Sequence, residues 1–222
     1  MNPENAVIAL CAEGMRAEGE GRDEEAAELF LRAWRAAGDD YEACVAAHYA
    51  ARHGRSPEET LRWNQECLTR ADRVGDERVR PFYPSLHGTM GRAWLDLGER
   101  ERAREHFERA AARLGDLPPG QYADWLRLCV ARGLRATAPA ATGSSAGAGA
   151  VDEPVATLLE RLCARADLDS LGLLLPPYLG NLRVPEDEER LTAALRMLLA
   201  ERRLPESDRS ALREVIALRE AG

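Results

Sequence analysis

Four histidines, five cysteines and no lysine bound the chemistry open to this 222-residue chain. Cys44 and His48 stand four residues apart, with His53 just beyond, so on a helix the first two share a face, as the beginning of a zinc site would require. Two ligands are not four, and no nearby pair supplies the rest; groove or core packing is the better reading, and no metal is expected. His87 and His106 are of the type that serves as a general base. Yet no serine stands in a nucleophile-elbow context and no glycine-rich turn follows a strand, so a Rossmann or methyltransferase fold lacks its parts. Glu186-Asp187-Glu188-Glu189 would attract a cation, but after Pro185 these acids open a helix and more simply complement its dipole. All 30 residues of the lysine-plus-arginine class are arginine, which removes the phosphate-loop lysine, the Schiff-base lysine and the lysine general base together. No catalytic residue and no cofactor is assigned.

The charge balance narrows the partners. Residues 1–135 carry 24 acids against 20 arginines and residues 151–222 carry 14 against 10, so each part is about −4 within a formal −8. No basic patch stands out, which argues against nucleic acid as the main partner. Cys11, Cys44, Cys67, Cys129 and Cys163 are scattered singly, without the spacing of a metal or redox motif, and read as reduced, packed thiols. Met1-Asn2-Pro3-Glu4 lacks a basic leader and no apolar run approaches membrane length, so a soluble, cytoplasmic protein is expected. Heavy use of Ala, Gly, Arg and Leu suggests a GC-rich bacterial genome.

The elements that would hold these residues are helices. Ile8 and Ile216 are the only isoleucines, no stretch alternates with period two, and apolar residues recur at three and four positions. Pairs are predicted over roughly 4–19 and 23–37, 40–53 and 57–74, and 81–97 and 99–114. Asp23 and Ser56 are read as N-caps, Pro57 as a first helical residue, and Gly21, Gly54 and Gly98 as turns. A further helix over 120–135 is predicted to cover the last pair through Tyr122, Trp125, Leu126, Cys129 and Val130. Residues 136–150 carry no charge and no large apolar group and are expected to form a flexible linker. Beyond it, residues 151–222 are expected to make a small bundle of three or four helices, near 153–166, 168–175, 186–203 and 206–220. Trp34, Trp63, Trp94 and Trp125 read as packing residues rather than as a platform for bases. Leu173-Leu174-Leu175-Pro176-Pro177-Tyr178-Leu179-Gly180 reads as core, as a docking surface, or as a segment folding back on the first domain.

Met90-Gly91, Trp94, Gly98, Ala103, Phe107 and Ala110 repeat a sparse frame that also fits Gly14, Gly21, Ala26, Phe30 and Ala33. On these residues, 1–135 resembles the tetratricopeptide repeat (TPR) proteins, in particular the short, lengthened-repeat ones of actinobacteria, which 71–87 and 98–107 also look like. The turn glycines are 33 and then 44 residues apart, against a period of about 34 in the family, so the second interval holds an insertion. The middle pair fits worst, with Glu59 where alanine is expected.

The resemblance implies an all-α, right-handed superhelix of three helix pairs and a capping helix, whose first helices line a concave groove for a partner peptide or helix. Groove positions carried over residue by residue fall on Ile8, Cys11, Met15 and Glu18; on Tyr41, Cys44, His48 and Arg52; and on Ser85, Gly88, Arg92 and Asp96. His87 falls where the family usually places a large packing residue. Arg52 and Arg92 would fork onto a carboxylate, although the clamp such repeats use for a C-terminal carboxylate relies on lysines, which are missing. The function so implied is a non-catalytic adaptor for a protein or peptide partner, regulated or extended by the C-terminal helices. The alternative is a pathway-specific enzyme or small-ligand protein with His48 and Arg92 in a closed pocket.

Overall fold

Aromatic rings resting on glycines position the helices of the first part of the chain. The computed structural model describes residues 5–138, 146–201 and 204–221, which divide between two compact units, Met1–Thr137 and Ala138–Gly222. Every regular element among the described residues is helical.

Unit 1 holds α1 (Ala6–Gly19), α2 (Asp23–Ala36), α3 (Asp40–Ala50, running on as a 3-10 turn at Ala51–His53), α4 (Pro57–Val74), α5 (Phe82–Asp96), α6 (Arg100–Arg113, followed by a 3-10 turn at Leu114–Asp116) and α7 (Gln121–Ala136). Local chemistry sets the ends. Asn5 caps α1, its side chain accepting from the backbone N–H of Val7 and Ile8 at 2.9 and 3.1 Å. Ser56 caps α4 through the Glu59 N–H, Pro57 follows it, and Gly75 closes the helix in the left-handed region at φ +65. Asp23 is not the cap of α2. Gly21, at φ +75, turns the chain so that Arg22 takes the cap position and Asp23 becomes the first helical residue, where its charge, with Glu24 and Glu25, favours the dipole.

Each first helix packs on its second (α1 on α2, α3 on α4, α5 on α6), and each second helix packs on the next first, ending with α6 on α7. Phe30 of α2 is fully buried on Gly14 of α1, so close that a Cβ there would sit 2.4 Å from its ring. Phe107 of α6 repeats the contact twice, with Gly91 of α5 at 2.9 Å and Gly133 of α7 at 2.4 Å from where a Cβ would be. Ala26, Ala33, Ala103 and Ala110 flank the rings with no exposure. Burying one such ring contributes roughly 1.5–3 kcal/mol, provided the facing backbone comes near enough, which only glycine permits. The middle pair substitutes a thiol seam: Cys44 and Cys67 are fully buried with their sulfurs 3.5 Å apart, between Ala47 and Ala71. The insertion lengthens α4 to 18 residues and folds Val79 into the core, while the Tyr83 hydroxyl donates to Asp72 at 2.7 Å.

Unit 2 holds α8 (Ala146–Ala164), α9 (Leu168–Leu179), α10 (Pro185–Ala200) and α11 (Glu206–Ala221), in a ring in which each helix packs on two others. Leu158, Leu162, Leu174, Leu191, Leu195, Leu198 and Leu212 fill it. Asp208, 1% exposed, lies 2.8 Å from Arg161 and 2.7 Å from Arg165, fastening α11 to α8. Two boundaries differ from expectation. Helix α7 runs to Ala136 and α8 begins at Ala146; residues 139–145 of the expected 136–150 linker lie outside the described residues. Helix α9 continues through Pro176 and Pro177 instead of stopping at 175, since Leu174 is buried and Leu175 and Tyr178 pack on the core, and that burial outweighs the hydrogen bonds the prolines remove. Within Leu173–Gly180 the core of unit 2 takes Leu174, with Leu173, Leu175 and Tyr178 packed against it, while Pro176 and Leu179 are exposed. No described helix is long and apolar enough to cross a membrane.

Gly14→Ala and Gly133→Ala are expected to destabilise unit 1 by roughly 1–3 kcal/mol through overpacking, larger than the gain of up to about 1 kcal/mol in helix propensity. Gly88→Ala, where a Cβ meets Leu126 only at 3.4 Å, is expected to fall near neutral. Urea unfolding curves compare the three, and equal midpoints would remove the ring-on-glycine account.

Candidate partner-binding face

Helix α1 touches α3 and α5 touches α7, and the His48 ring of α3 meets the Phe82 ring at the head of α5 edge-on, 5.0 Å between centroids. The Tyr49 phenol is pushed up first by burial; Cys11 and Glu18 of α1 and Tyr122 of α7 raise it further, while Arg52 opposes them. Groups from α1, α3 and α7 thus act on one hydroxyl.

The expected groove residues separate into three kinds. Met15, Arg92 and Asp96 are open, Met15 to 37%. Glu18 and Arg52 are engaged with each other at 2.9 Å, with His53 Nε2 3.6 Å from the same carboxylate oxygen, so Arg52 is not a free fork for a ligand. Tyr41 lies half-buried under the Arg78 guanidinium, 4.6 Å from the ring centre. Cys44 and Ser85 are corrected: both are buried, Cys44 in the α3–α4 seam and Ser85 with its hydroxyl donating to the Phe82 carbonyl at 2.8 Å. Cys11 is buried as well, and Gly88 is covered by Leu126 and Val130 of α7.

His48 and Cys44 part company despite their spacing. The thiol meets Cys67, whereas the imidazole meets Phe82 and Tyr49 edge to face, with its Nδ1 buried and without a hydrogen-bond partner. Burial first, then Arg52, holds the His48 pKa down to about 4. His87 and His106 face each other between α5 and α6, Nδ1 to Nδ1 at 3.1 Å. Burial again leads in lowering His87 to about 4, with His106, Arg109 and Arg113 adding to it. Both imidazoles are therefore uncharged at neutral pH. The acids at the start of α10 are also spoken for: Asp187 accepts from the Leu182 N–H at 2.9 Å and Glu188 pairs with Arg219.

Trp34 and Trp63 pack edge to face at 5.4 Å, and Trp94 lies under Arg102 at 4.7 Å. Trp125 departs from the packing reading. It stacks on Tyr122 at 5.8 Å, yet the two rings are 52% and 51% exposed on α7, because Leu126 and Val130 take the inward positions. The two rings form an exposed aromatic patch. Arg55, Thr60 and Thr89 also went unmarked in the sequence; they join Arg92 and Asp96 around a hollow of about 250 Å³ between the α3–α4 turn and α5. A second hollow, about 480 Å³, lies beside Trp34, Asp40 and Arg70, where Arg70 and Asp40 pair at 2.8 Å.

No family model, curated protein or solved structure matches the chain.

Two measurements check this account. In the unfolded chain histidine titrates near 6.5, so between pH 6.5 and about 4 the unfolded state binds protons that folded His48 and His87 refuse. Stability should fall as pH drops through that window, and the double variant His48→Gln, His87→Gln should flatten the urea midpoint against pH; an unchanged slope counts against it. A bulky thiol reagent should modify exposed Cys163, and Cys129 more slowly, while Cys11, Cys44 and Cys67 react only in urea. Early loss of three further thiols would contradict the sealed α3–α4 seam.

Proposed function

We propose that unit 1 is a TPR-like helical-repeat module that serves as a non-catalytic adaptor, holding a peptide or helix of a partner protein along the face of α1, α3, α5 and α7. The observation that supports the reading is the stepwise pairing of seven helices, with a ring resting on glycine in the first and third pairs and with α1 touching α3 and α5 touching α7. Such a face offers apolar anchors at Met15, Tyr122 and Trp125, with Arg92 and Asp96 to fix register. Association would draw on burial of Met15 and the aromatic pair, since Glu18 and Arg52 are already satisfied by each other. Unit 2, a closed bundle with its own core, is the accessory part of the adaptor.

The alternative of an enzyme or closed ligand pocket draws less support. His48 and Arg92 do not share a cavity: His48 is wedged against Phe82, and Arg92 borders an open hollow.

A photo-crosslinking amino acid placed at Met15, at Trp125 and, as control, at Arg104 on α6 tests the reading in the native host. Positions 15 and 125 are expected to capture the same protein and position 104 to capture none of it. Capture at 104 alone, or different proteins at 15 and 125, would refute a shared face. Trp125→Ala should then weaken the captured complex about tenfold or more.

A further inference from the structure

We infer that the hollow between the α3–α4 turn and α5 is an acidic-side-chain subsite, in which Arg55 and Arg92 together receive one aspartate or glutamate carboxylate of the bound segment. The inference rests on the partner-face reading above and names the chemistry of one of its contacts.

The turn is built to hold Arg55 still. The Glu59 carboxylate accepts from the Arg55 backbone N–H at 3.0 Å, and Ser56 Oγ accepts from the Glu59 N–H at 3.2 Å, so two reciprocal bonds clamp the head of α4. Gly54 lies so near that helix that a Cβ would stand 2.5 Å from Thr60 Oγ1 and 2.9 Å from its backbone nitrogen. That approach presses the turn onto α4 and brings Arg55, Thr60, Thr89 and Arg92 around one space.

Donors dominate that space. Among the described residues neither the Arg55 nor the Arg92 guanidinium has an ion-pair partner, in a unit where Arg22, Arg35, Arg52, Arg62, Arg70, Arg73, Arg78, Arg104, Arg109 and Arg113 all pair. The Thr60 and Thr89 side-chain hydroxyls are half-buried and engage no protein acceptor there. Against these donors stands one carboxylate, Asp96, in the lining. Two positive charges and one negative leave a single positive charge to be neutralised, which suits one carboxylate better than a doubly charged phosphate. The hollow is open and its α5 wall belongs to the partner face, so a side chain of a segment lying along α5 reaches it from outside. The sequence pointed to Arg52 and Arg92 as the fork; the structure exchanges Arg52, occupied by Glu18, for Arg55.

The test follows the arginine side-chain N–H signals of the ¹⁵N-labelled full chain, assigned through Arg55→Gln and Arg92→Gln, during titration with acetyl-Ala-Glu-Ala-Glu-Ala-amide. Its glutamine counterpart and inorganic phosphate are the comparisons. The expected result is saturable shifts at Arg55 and Arg92 with the glutamate peptide alone, weakened about tenfold by either substitution and strengthened a few-fold by Asp96→Asn. Circular dichroism of these surface variants should match the parent. The proposal is overturned if the glutamine peptide shifts the same signals, if phosphate binds more tightly than the peptide, or if Arg55→Gln changes nothing. Intact crosslinks at Met15 and Trp125 beside an unmoved Arg55 would remove the subsite and keep the face. Scattered crosslinks beside a responsive Arg55 and Arg92 would remove the face and keep a carboxylate site.

Discussion

Close approach of helix backbones depends on glycine, and unit 1 depends on that approach. Phe30 on Gly14, and Phe107 between Gly91 and Gly133, each fill the gap a side chain would otherwise occupy. The ring fixes the separation and rotation of its two helices at once, since any shift opens a void or drives the ring into backbone. The fully buried alanines beside each ring, Ala26 and Ala33 at Phe30 and Ala103 and Ala110 at Phe107, follow from this approach.

The middle pair shows how the same geometry is reached with other chemistry. It has no ring on a glycine; Cys44 and Cys67 fill the seam, and the Cys67 thiol, which donates to the Cys44 carbonyl at 3.2 Å, is pushed well above its ordinary range by that pairing and by burial. Small, polarizable sulfur packs where alanine would leave a gap and phenylalanine would not fit. The longer α4 and the buried Val79 then restore the contact with α5 that the different seam alters.

Charge is handled locally across both units. Many arginines of unit 1 meet an acid on the same or the facing helix, and several lie over aromatic rings, as Arg70 does over Trp34 and Arg113 over Tyr83. Such exposed pairs add little stability, but they satisfy the surface and so make the unengaged groups informative. Met15, Tyr122 and Trp125 stay exposed, and Arg55 and Arg92 border a hollow with no ion pair of their own among the described residues.

Sequence alone determined the helices, because the three-and-four recurrence of apolar residues, Pro57 after Ser56, and Gly75 and Gly98 act within a few residues of themselves. It also placed Gly14 and Phe30, and Gly91 and Phe107, at matching positions of one repeated frame, but that each ring rests on its glycine came only from the structure. What lies on an open face was decided only in three dimensions. Cys44 and Ser85 sit at positions a repeat pattern assigns to the groove, but their neighbours 23 and more residues away, or across a longer insertion, close over them. Trp125 looked like core because α7 is amphipathic, yet the inward stripe is narrow and Leu126 and Val130 fill it. Arg52 and Arg55 are equivalent as letters; one meets Glu18 of another helix and the other meets none, and that difference is tertiary because the acid comes from 34 residues earlier in the chain.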